Sequence, residues 1–439
     1  MAKDEPKVVS RRHAWYALGV LFVVALFNYI DRNILSILQI PLKKELHLAD
    51  WQLGALTGLA FALFYTTLAL PIARLADTRS RKGLMAIALT IWTGMTALTG
   101  FAQNFAMLVF FRMGVGVGEA GCVPSTHSLI SDYFPRHQRA RAMAIWGTSM
   151  SIGAMMGSFL GGWLGAMFGW RHAFLLVGAV GFIMVPVLLF TLREPVRAAF
   201  DGASAAGEAQ PKFWTAAGTL WRLKSFRYMA LGTAAHAYTQ FAMGSWNAPF
   251  YDRVYHLSLL SIGWRLALLT GIGGVLGTLV GGALADRLAR KDVRWYMWLP
   301  AIATLLIVPT AIGQYFVGDL SLSLMFAAGP AIMINVYVGS VNSVSQSLVP
   351  ANMRAFTSSV LVLTVNLLGL ALGPMLTGRI SDLIISRFGS NSLSYAISVS
   401  LVFNIVAAVL YLLAARALPK ELSSMHEAVV AKDEPAPAA

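Results

Sequence analysis

At 439 residues and 47.4 kDa the chain has room for two or three soluble domains, yet 57% of it is hydrophobic and only 12% charged, against about 25% charged in soluble proteins. The apolar residues form long blocks, each closed by a short cluster of basic, Gly or Pro residues, the pattern of a polytopic membrane protein. The formal charge of +14 sits in the joints between blocks rather than on one polar face, which argues against nucleic acid as a partner, and the single Cys122 closes disulfide and cysteine-metal readings.

A hydrocarbon core about 30 Å thick takes about 20 helical residues per crossing. On that rule the sequence predicts an all-α membrane protein of twelve transmembrane helices, at residues 14 to 38, 50 to 75, 83 to 103, 105 to 130, 140 to 168, 171 to 192, 226 to 251, 259 to 284, 295 to 314, 321 to 348, 355 to 384 and 391 to 416. Helices rather than barrel strands follow because the blocks are continuously apolar. The first block runs on into Asp31-Arg32 with no small-residue cleavage pattern, so it is read as a span and not a signal peptide. With the N-terminus inside, the cytoplasmic joints and tails hold 25 of the 34 Lys and Arg and the outer joints hold 7, Arg32 and Arg112 lying within helices. Both termini are therefore expected in the cytoplasm, the protein crossing the cell's inner membrane.

Residues 193 to 225 form the one long joint. They separate a six-helix half at 14–192 from a second at 226–416, with tails at 1–13 and 417–439 that read as disordered. The halves resemble each other. Leu75-Ala76-Asp77 with Arg79, Arg81 and Lys82 answers Leu284-Ala285-Asp286 with Arg287, Arg290 and Lys291 at an offset of 209; Gly153, Gly157 and Gly161 answer Gly369 and Gly373 at 216; Pro135 with Arg139 answers Pro350 with Arg354 at 215. These matches predict a duplicated six-helix unit. Within the joint, Phe213-Trp214 through Trp221-Arg222 and Lys224 to Arg227 mix aromatics and bases at helical spacing, which reads as a helix lying on the inner membrane surface.

LADTRSRK and GGALADRLARK resemble the loop motif of the major facilitator superfamily, with the first copy degraded by Ala73 and Ser80 where the family has glycine. Within that superfamily, NYIDR at Asn28 to Arg32 and RMGVGVGEAGCVP at Arg112 to Pro124 resemble the Spinster family. The resemblance implies proton-linked movement of amphiphilic lipids such as lysophospholipids or sphingosine phosphates. A Tyr-x-Asp-Arg in helix 1 with an Arg and a later Glu in helix 4 is also similar to the anion:cation symporters that carry sugar acids. A membrane-embedded lipid enzyme or receptor would need a catalytic cluster or a large soluble domain, and the sequence offers neither: GxSxG, HExxH and phosphate-loop motifs are all missing.

The charges that apolar helices must pay for are Asp31, Arg32, Arg112 and Glu119. Asp31 stands 17 residues from the inner start of helix 1, roughly 25 Å up, and Arg112 lies 18 residues from the inner end of helix 4, roughly 27 Å up, at about 1.5 Å per residue. The two are level, so an Asp31–Arg112 pair is open. Glu119 lies about 10 Å nearer the cytoplasm on the face of Arg112, and Arg32, turned roughly 100° from Asp31, meets Glu119 only by reaching inward. A guanidinium keeps a neighbouring carboxylate ionised; parting the two in a dry environment drives the acid to take a proton and frees a cation for an anionic head group. Asp31 and Glu119 are thus the proton-coupling candidates, with Arg112 and Arg32 as charge partners and head-group ligands. No cofactor or metal is expected, the proton gradient supplying the energy.

Asp77 and Arg81, and their counterparts Asp286 and Arg290, stand at helix ends where salt bridges can hold one conformational state, a gating role. GVGEAG at 116–121 matches a dinucleotide fingerprint literally, but mid-span glycines more naturally let a neighbouring helix approach. The second half offers neutral groups instead of buried charges: His236, Tyr238, Gln240 and Asn247 in helix 7, Asn335, Tyr337 and Asn342 in helix 10, and Asn366 in helix 11. With Tyr29 they are expected to line a substrate cavity with one charged and one apolar-to-amide wall, suited to a small amphiphile in a monomeric transporter surrounded by membrane lipid.

Overall fold

The structure, a computed structural model, describes residues 9–196, 213–350 and 353–433, and its regular elements among them are all helices. The chain ends and most of the joint between the halves lie outside the described residues, as do some helical side chains, that of Asp77 among them.

Twelve spanning helices are found among the described residues, and we label them α1 to α12. In the first half α1 is Arg11–Leu46, α2 is Asp50–Thr57 and Leu59–Thr78 broken at Gly58, α3 is Arg81–Thr99, and α4 is Phe105–Glu119 followed by Cys122–Tyr133. One continuous stretch, Arg136–Thr191, contains α5 (136–168) and α6 (170–191), which part at Gly169, whose φ of 77° lies where side chains are disfavoured. In the second half α7 is Lys224–Tyr255, α8 Leu259–Ala289 and α9 Trp295–Phe316. Then α10 runs Leu320–Met333 and Tyr337–Ser347, α11 runs Arg354–Thr364, a π-helical Val365–Leu370 and Leu372–Phe388, and α12 runs Ser392–Ser400 and Val402–Asp433. At 36 residues α1 reaches about 54 Å at 1.5 Å per residue, well beyond the hydrocarbon core.

Side-chain caps begin several helices: Ser10 for α1, Ser80 for α3 and Asn104 for α4 each accept from a backbone N–H three residues on, satisfying a donor that the helix leaves free. α1 ends on His47 and α7 on His256, both in the left-handed region at φ 51° and both followed by leucine. Their spacing of 209 residues is that of the Asp77 and Asp286 motifs, so the repeat extends to the helix ends.

The chain packs as two units. Of the described residues, one holds 9–196, 244–271 and 374–393; the other holds 213–243, 272–350, 353–373 and 394–433. The division follows the predicted halves except that the α7–α8 turn region and the end of α11 pack with the first half. Backbone contact explains this: Gly162 and Gly263 meet face to face, and a Cβ on Gly54 would lie 2.6 Å from the Pro374 carbonyl carbon.

In the first unit α5 presents its glycine row to α1. A Cβ at Gly153 would lie 2.6 Å from the Tyr29 Cβ, one at Gly157 would lie 2.8 Å from the Ile30 carbonyl, and Gly161 faces Ile34 and Ile37. The row therefore brings α5 against the turn of α1 that carries Asp31. In the second unit Ala216 and Leu220 of the linker helix, Phe213–Arg222, are buried with Phe226 and Met229 of α7, Met297 of α9, Val344 of α10 and Tyr411 of α12. The surface helix expected at 213–227 is thus shorter. It stops at Arg222, Lys224 to Arg227 open α7, and its apolar side is covered by protein while Trp221 is left 57% exposed.

Candidate functional site

The four charges of the apolar helices, three of them buried and Arg32 half-buried, meet in two pairs within the first unit. Arg112 Nη1 lies 3.7 Å from Asp31 Oδ2, the level pairing expected from helical rise. Arg32 Nε donates to Glu119 Oε2 at 2.7 Å, with the Glu119 side chain fully buried. Arg32 was expected to meet Glu119 only by reaching inward, and its long side chain does so, making the site two ion pairs side by side. Between them lies Phe61 of α2, 1% exposed, whose ring centroid is 4.6 Å from the Arg32 guanidinium and 4.8 Å from that of Arg112. Tyr65 adds a second face to Arg32 at 4.5 Å and Tyr29 a third at 5.6 Å. An aromatic face attracts a cation without neutralising it, so both guanidiniums keep their charge while losing water.

The pairs do not use up their hydrogen-bonding capacity. Asp31 Oδ2, Arg112 Nε and Glu119 Oε1 are buried without a hydrogen-bond partner. Buried polar atoms in that condition are costly, and here acceptors and a donor are presented for a proton or an anionic group. The glycines of α4 make the arrangement possible. A Cβ on Gly116 would sit 2.7 Å from the Phe61 carbonyl oxygen, and one on Gly118 would sit 2.7 Å from the Trp92 nitrogen of α3. GVGEAG is a packing seam that sets Glu119 against α2 and α3.

In the second unit His236 is held on both ring nitrogens, Nε2 donating to the Ile334 carbonyl at 3.0 Å and Nδ1 accepting from Thr304 Oγ1 at 3.0 Å. A carbonyl only accepts, which fixes this tautomer. The Tyr337 ring stands edge-on to the imidazole at 4.8 Å between centroids. His236 therefore pins the break in α10 at residues 334–336 to α7 and α9. Tyr238 stacks on Phe403 of α12 at 4.0 Å, Asn335 lies at the α10 break against Gly277, and the Asn366 carbonyl accepts from Ala371 N within the π-helical segment. Gln240 and Asn247 are half-buried and Asn342 is exposed.

At the end of the first unit that holds Arg11, Arg81 is 1% exposed and pairs with Asp132 and with Glu194, Nε to Oε1 at 2.9 Å. Glu194 also accepts from Ser80 Oγ and from the backbone N–H of Arg81 and Lys82, closing the start of α3. Burial alone would raise the Glu194 carboxyl, but these hydrogen bonds outweigh it and hold the group below the usual glutamate range. Asp132 and Glu194 were not singled out in the sequence; an acid at the end of α4 and a Glu-Pro pair after α6 were the available signals. In the second copy Asp286 is exposed and accepts from Tyr296 Oη at 3.1 Å, and Arg290 is exposed.

The opposite end holds a constellation that the sequence reading passed over. Asp50, 0% exposed, accepts from Lys43, from Arg253 through Nη1 at 2.8 Å and Nη2 at 2.5 Å, and from Ser381 Oγ at 2.8 Å. Asp382 accepts from the backbone nitrogens of Asp50 and Trp51 at 2.9 and 2.8 Å. α1, α2, α7 and α11 are thus tied at one carboxylate.

Twelve apolar helices in two repeated halves, with charge pairs inside the first, have the architecture of a membrane transporter. Residues 21–374 match the family model described as Major Facilitator Superfamily, and the chain belongs to that superfamily. It is 32% identical over 404 residues to an MFS-type efflux pump of Mycolicibacterium smegmatis, covering 92% of this chain and 93% of the pump. It is 28% identical over 282 residues to a probable L-galactonate transporter of Escherichia coli, covering 62% of each. A bacterial homolog of the human lysosomal transporter Spinster, crystallised inward-facing and unoccupied, superposes with a TM-score of 0.85 at 30% identity, covering 94% of this chain and 99% of that one. The Spinster resemblance carried by Asn28 to Arg32 and Arg112 to Pro124 is thereby shown in sequence and structure.

Proposed function

We propose that the protein is a proton-coupled secondary transporter of an anionic amphiphile, working by alternating access as a monomer in the inner membrane with both termini cytoplasmic. The observation that carries this reading is the double pair, with Glu119 fully buried on Arg32 and Asp31 facing Arg112 at 3.7 Å. In the resting arrangement each carboxylate neutralises a guanidinium. A proton arriving at Glu119 or Asp31 removes that counter-charge and leaves a permanent cation beside Phe61, where the best remaining partner is the anionic head group of the substrate. Substrate binding and protonation are then linked, because each is favoured by the other. The Arg81–Asp132–Glu194 cluster on the cytoplasmic side and the Asp50 cluster on the outer side are the gating contacts of this reading, and Asp77, Asp286 and Arg290 take part at the cytoplasmic helix ends.

The lipid-like substrate is supported by the Spinster relationship and by the neutral polar groups of the second half. A sugar-acid substrate is the second reading, favoured by the similarity to the L-galactonate transporter. Reconstituted protein separates the two: a lysolipid should compete for transport and raise the unfolding temperature where a sugar acid such as galactonate does not. The opposite ranking would replace the first reading by the second.

A further inference from the structure

Beside the Asp50 cluster the first unit contains a pocket of about 440 Å³ between the end of α1 and the end of α7. Its polar lining is Gln39, Lys43, Lys44, His47, Asp252 and Arg253. Three permanent cations face one lining acid, Asp252, with Asp50 behind them. Lys44 Nζ lies 3.2 Å from Asp252 and is 69% exposed, so this contact is loose and solvated. Lys43 and Arg253 both hold Asp50, yet Lys43 uses one of its three ammonium donors there and Arg253 two of its five N–H groups. The remaining donors are available to a second anion.

Gln39 adds a requirement of the opposite kind. Its Nε2 donates to the Ser36 and Ser245 carbonyls, which fixes the orientation of the amide. Oε1 is then left buried with no hydrogen-bond partner in a side chain that is 0% exposed and lines the pocket. An unmatched buried acceptor asks for a donor. His47 also lines the pocket, in the left-handed conformation, φ 51° and ψ 42°, which a non-glycine residue holds at a cost. The pocket therefore offers cationic donors, and Gln39 in its wall carries an unmatched acceptor that a ligand would reach only by displacing part of that wall, which fits an oxyanion that also carries a hydroxyl or ammonium group.

We propose that this pocket is an outer-face binding site for a hydroxyl-bearing phosphate or carboxylate, and that such an anion competes with Asp50 for Lys43 and Arg253. Occupancy loosens the tie between α1, α2 and α7, so the ligand helps to open the end of the protein at which it binds. The proposal extends the transport reading but does not use the proton-coupling acids, and the two fail separately.

The test is isothermal titration of full-length protein in detergent with glycerol 1-phosphate, with lysophosphatidylglycerol carrying the same head group, and with sulfate as an oxyanion lacking a hydroxyl. Glycerol 1-phosphate should bind wild type and Glu119→Gln equally. The Lys44→Gln, His47→Asn double variant, both positions exposed and outside the Asp50 cluster, should bind it about tenfold more weakly or worse. Asp50→Asn should bind it more tightly, since the internal competitor is weakened, and Gln39→Met should lose the preference for glycerol phosphate over sulfate. Tighter binding of lysophosphatidylglycerol than of glycerol phosphate assigns the site to a lipid head group, and equal binding assigns it to a soluble anion. Unchanged affinity in the Lys44, His47 variant, or in Asp50→Asn, overturns the proposal. So does loss of binding in Arg112→Gln with retention in the Lys44, His47 variant, a result that would leave the transport reading standing.

Discussion

Neutralising Asp50 is the sharpest perturbation available outside the buried pairs. The carboxylate is 0% exposed and accepts from Lys43, twice from Arg253 and once from Ser381. Asp50→Asn preserves shape but leaves one oxygen to accept and an NH₂ facing cations. Removing one partner of a buried pair costs about 3 to 5 kcal/mol; Lys43 and Arg253 are 28% and 16% exposed, so water recovers part of this and the lower bound applies. Because α7 and α11 meet α1 and α2 there, the loss falls on the closed state of that end. At about 1.4 kcal/mol per tenfold, a cost of about 3 kcal/mol shifts the opening equilibrium by roughly a hundredfold. The assay is the labelling rate of Ser245→Cys by a membrane-impermeant maleimide, with Cys122 replaced by Ala, in the presence and absence of Asp50→Asn. Ser245 is 8% exposed, so labelling reports opening. An unchanged rate would refute the assignment of Asp50 as the tie.

Glu194 gives a pH signature. Its carboxyl is held below its ordinary value of 4.5, so it contributes stability above that value and loses it as the pH falls through the lower folded one. Unfolding temperatures between about pH 6 and pH 3 should therefore drop more steeply for wild type than for Glu194→Gln, and parallel curves would count against the hydrogen-bonded cap. On α5, Gly157→Leu should abolish folding or transport, since even its Cβ meets Ile30 backbone at 2.8 Å, whereas Gly147→Ala has nothing within 4 Å. The latter should raise the unfolding temperature slightly, in keeping with a helix-propensity gain of about 1 kcal/mol at most; equal effects of the two would dismiss the close-approach argument. Arg32→Gln should destabilise more than Arg112→Gln in thermal unfolding, because Glu119 is held at 2.7 Å and Asp31 at 3.7 Å.

How much of this was legible in the sequence depended on what kind of signal each feature leaves. Asp31 and Arg112 could be matched because a charge inside an apolar block is conspicuous and helical rise gives its depth. For Arg32 the sequence leaves Glu119 within reach only if the side chain extends inward, because periodicity fixes where a Cβ points and says nothing of how far a long side chain swings; the structure shows that it does. Phe61 left no trace at all, since one phenylalanine in an apolar span looks like any other; only the fold shows it between two guanidiniums. Asp50 and Arg253 look like ordinary charges at helix ends, and their bond joins positions 203 residues apart. His236 was visible as a buried polar residue, but the break in α10 that it pins is a matter of backbone geometry. The glycine row of α5 is legible as a close-packing face because Gly at steps of four has few other uses inside a span.

The central claim is that Asp31 and Glu119 carry the proton. The most direct measurement is uphill uptake of a labelled lysolipid into liposomes containing the Asp31→Asn, Glu119→Gln double variant, with an imposed proton gradient as the only energy source. Neutral amides cannot exchange a proton, so the account predicts no concentration above equilibrium and no response to the gradient, while substrate-for-substrate exchange continues through Arg112 and Arg32. Accumulation driven by the gradient in that variant, at anything near the wild-type level, would contradict proton coupling at these two carboxylates.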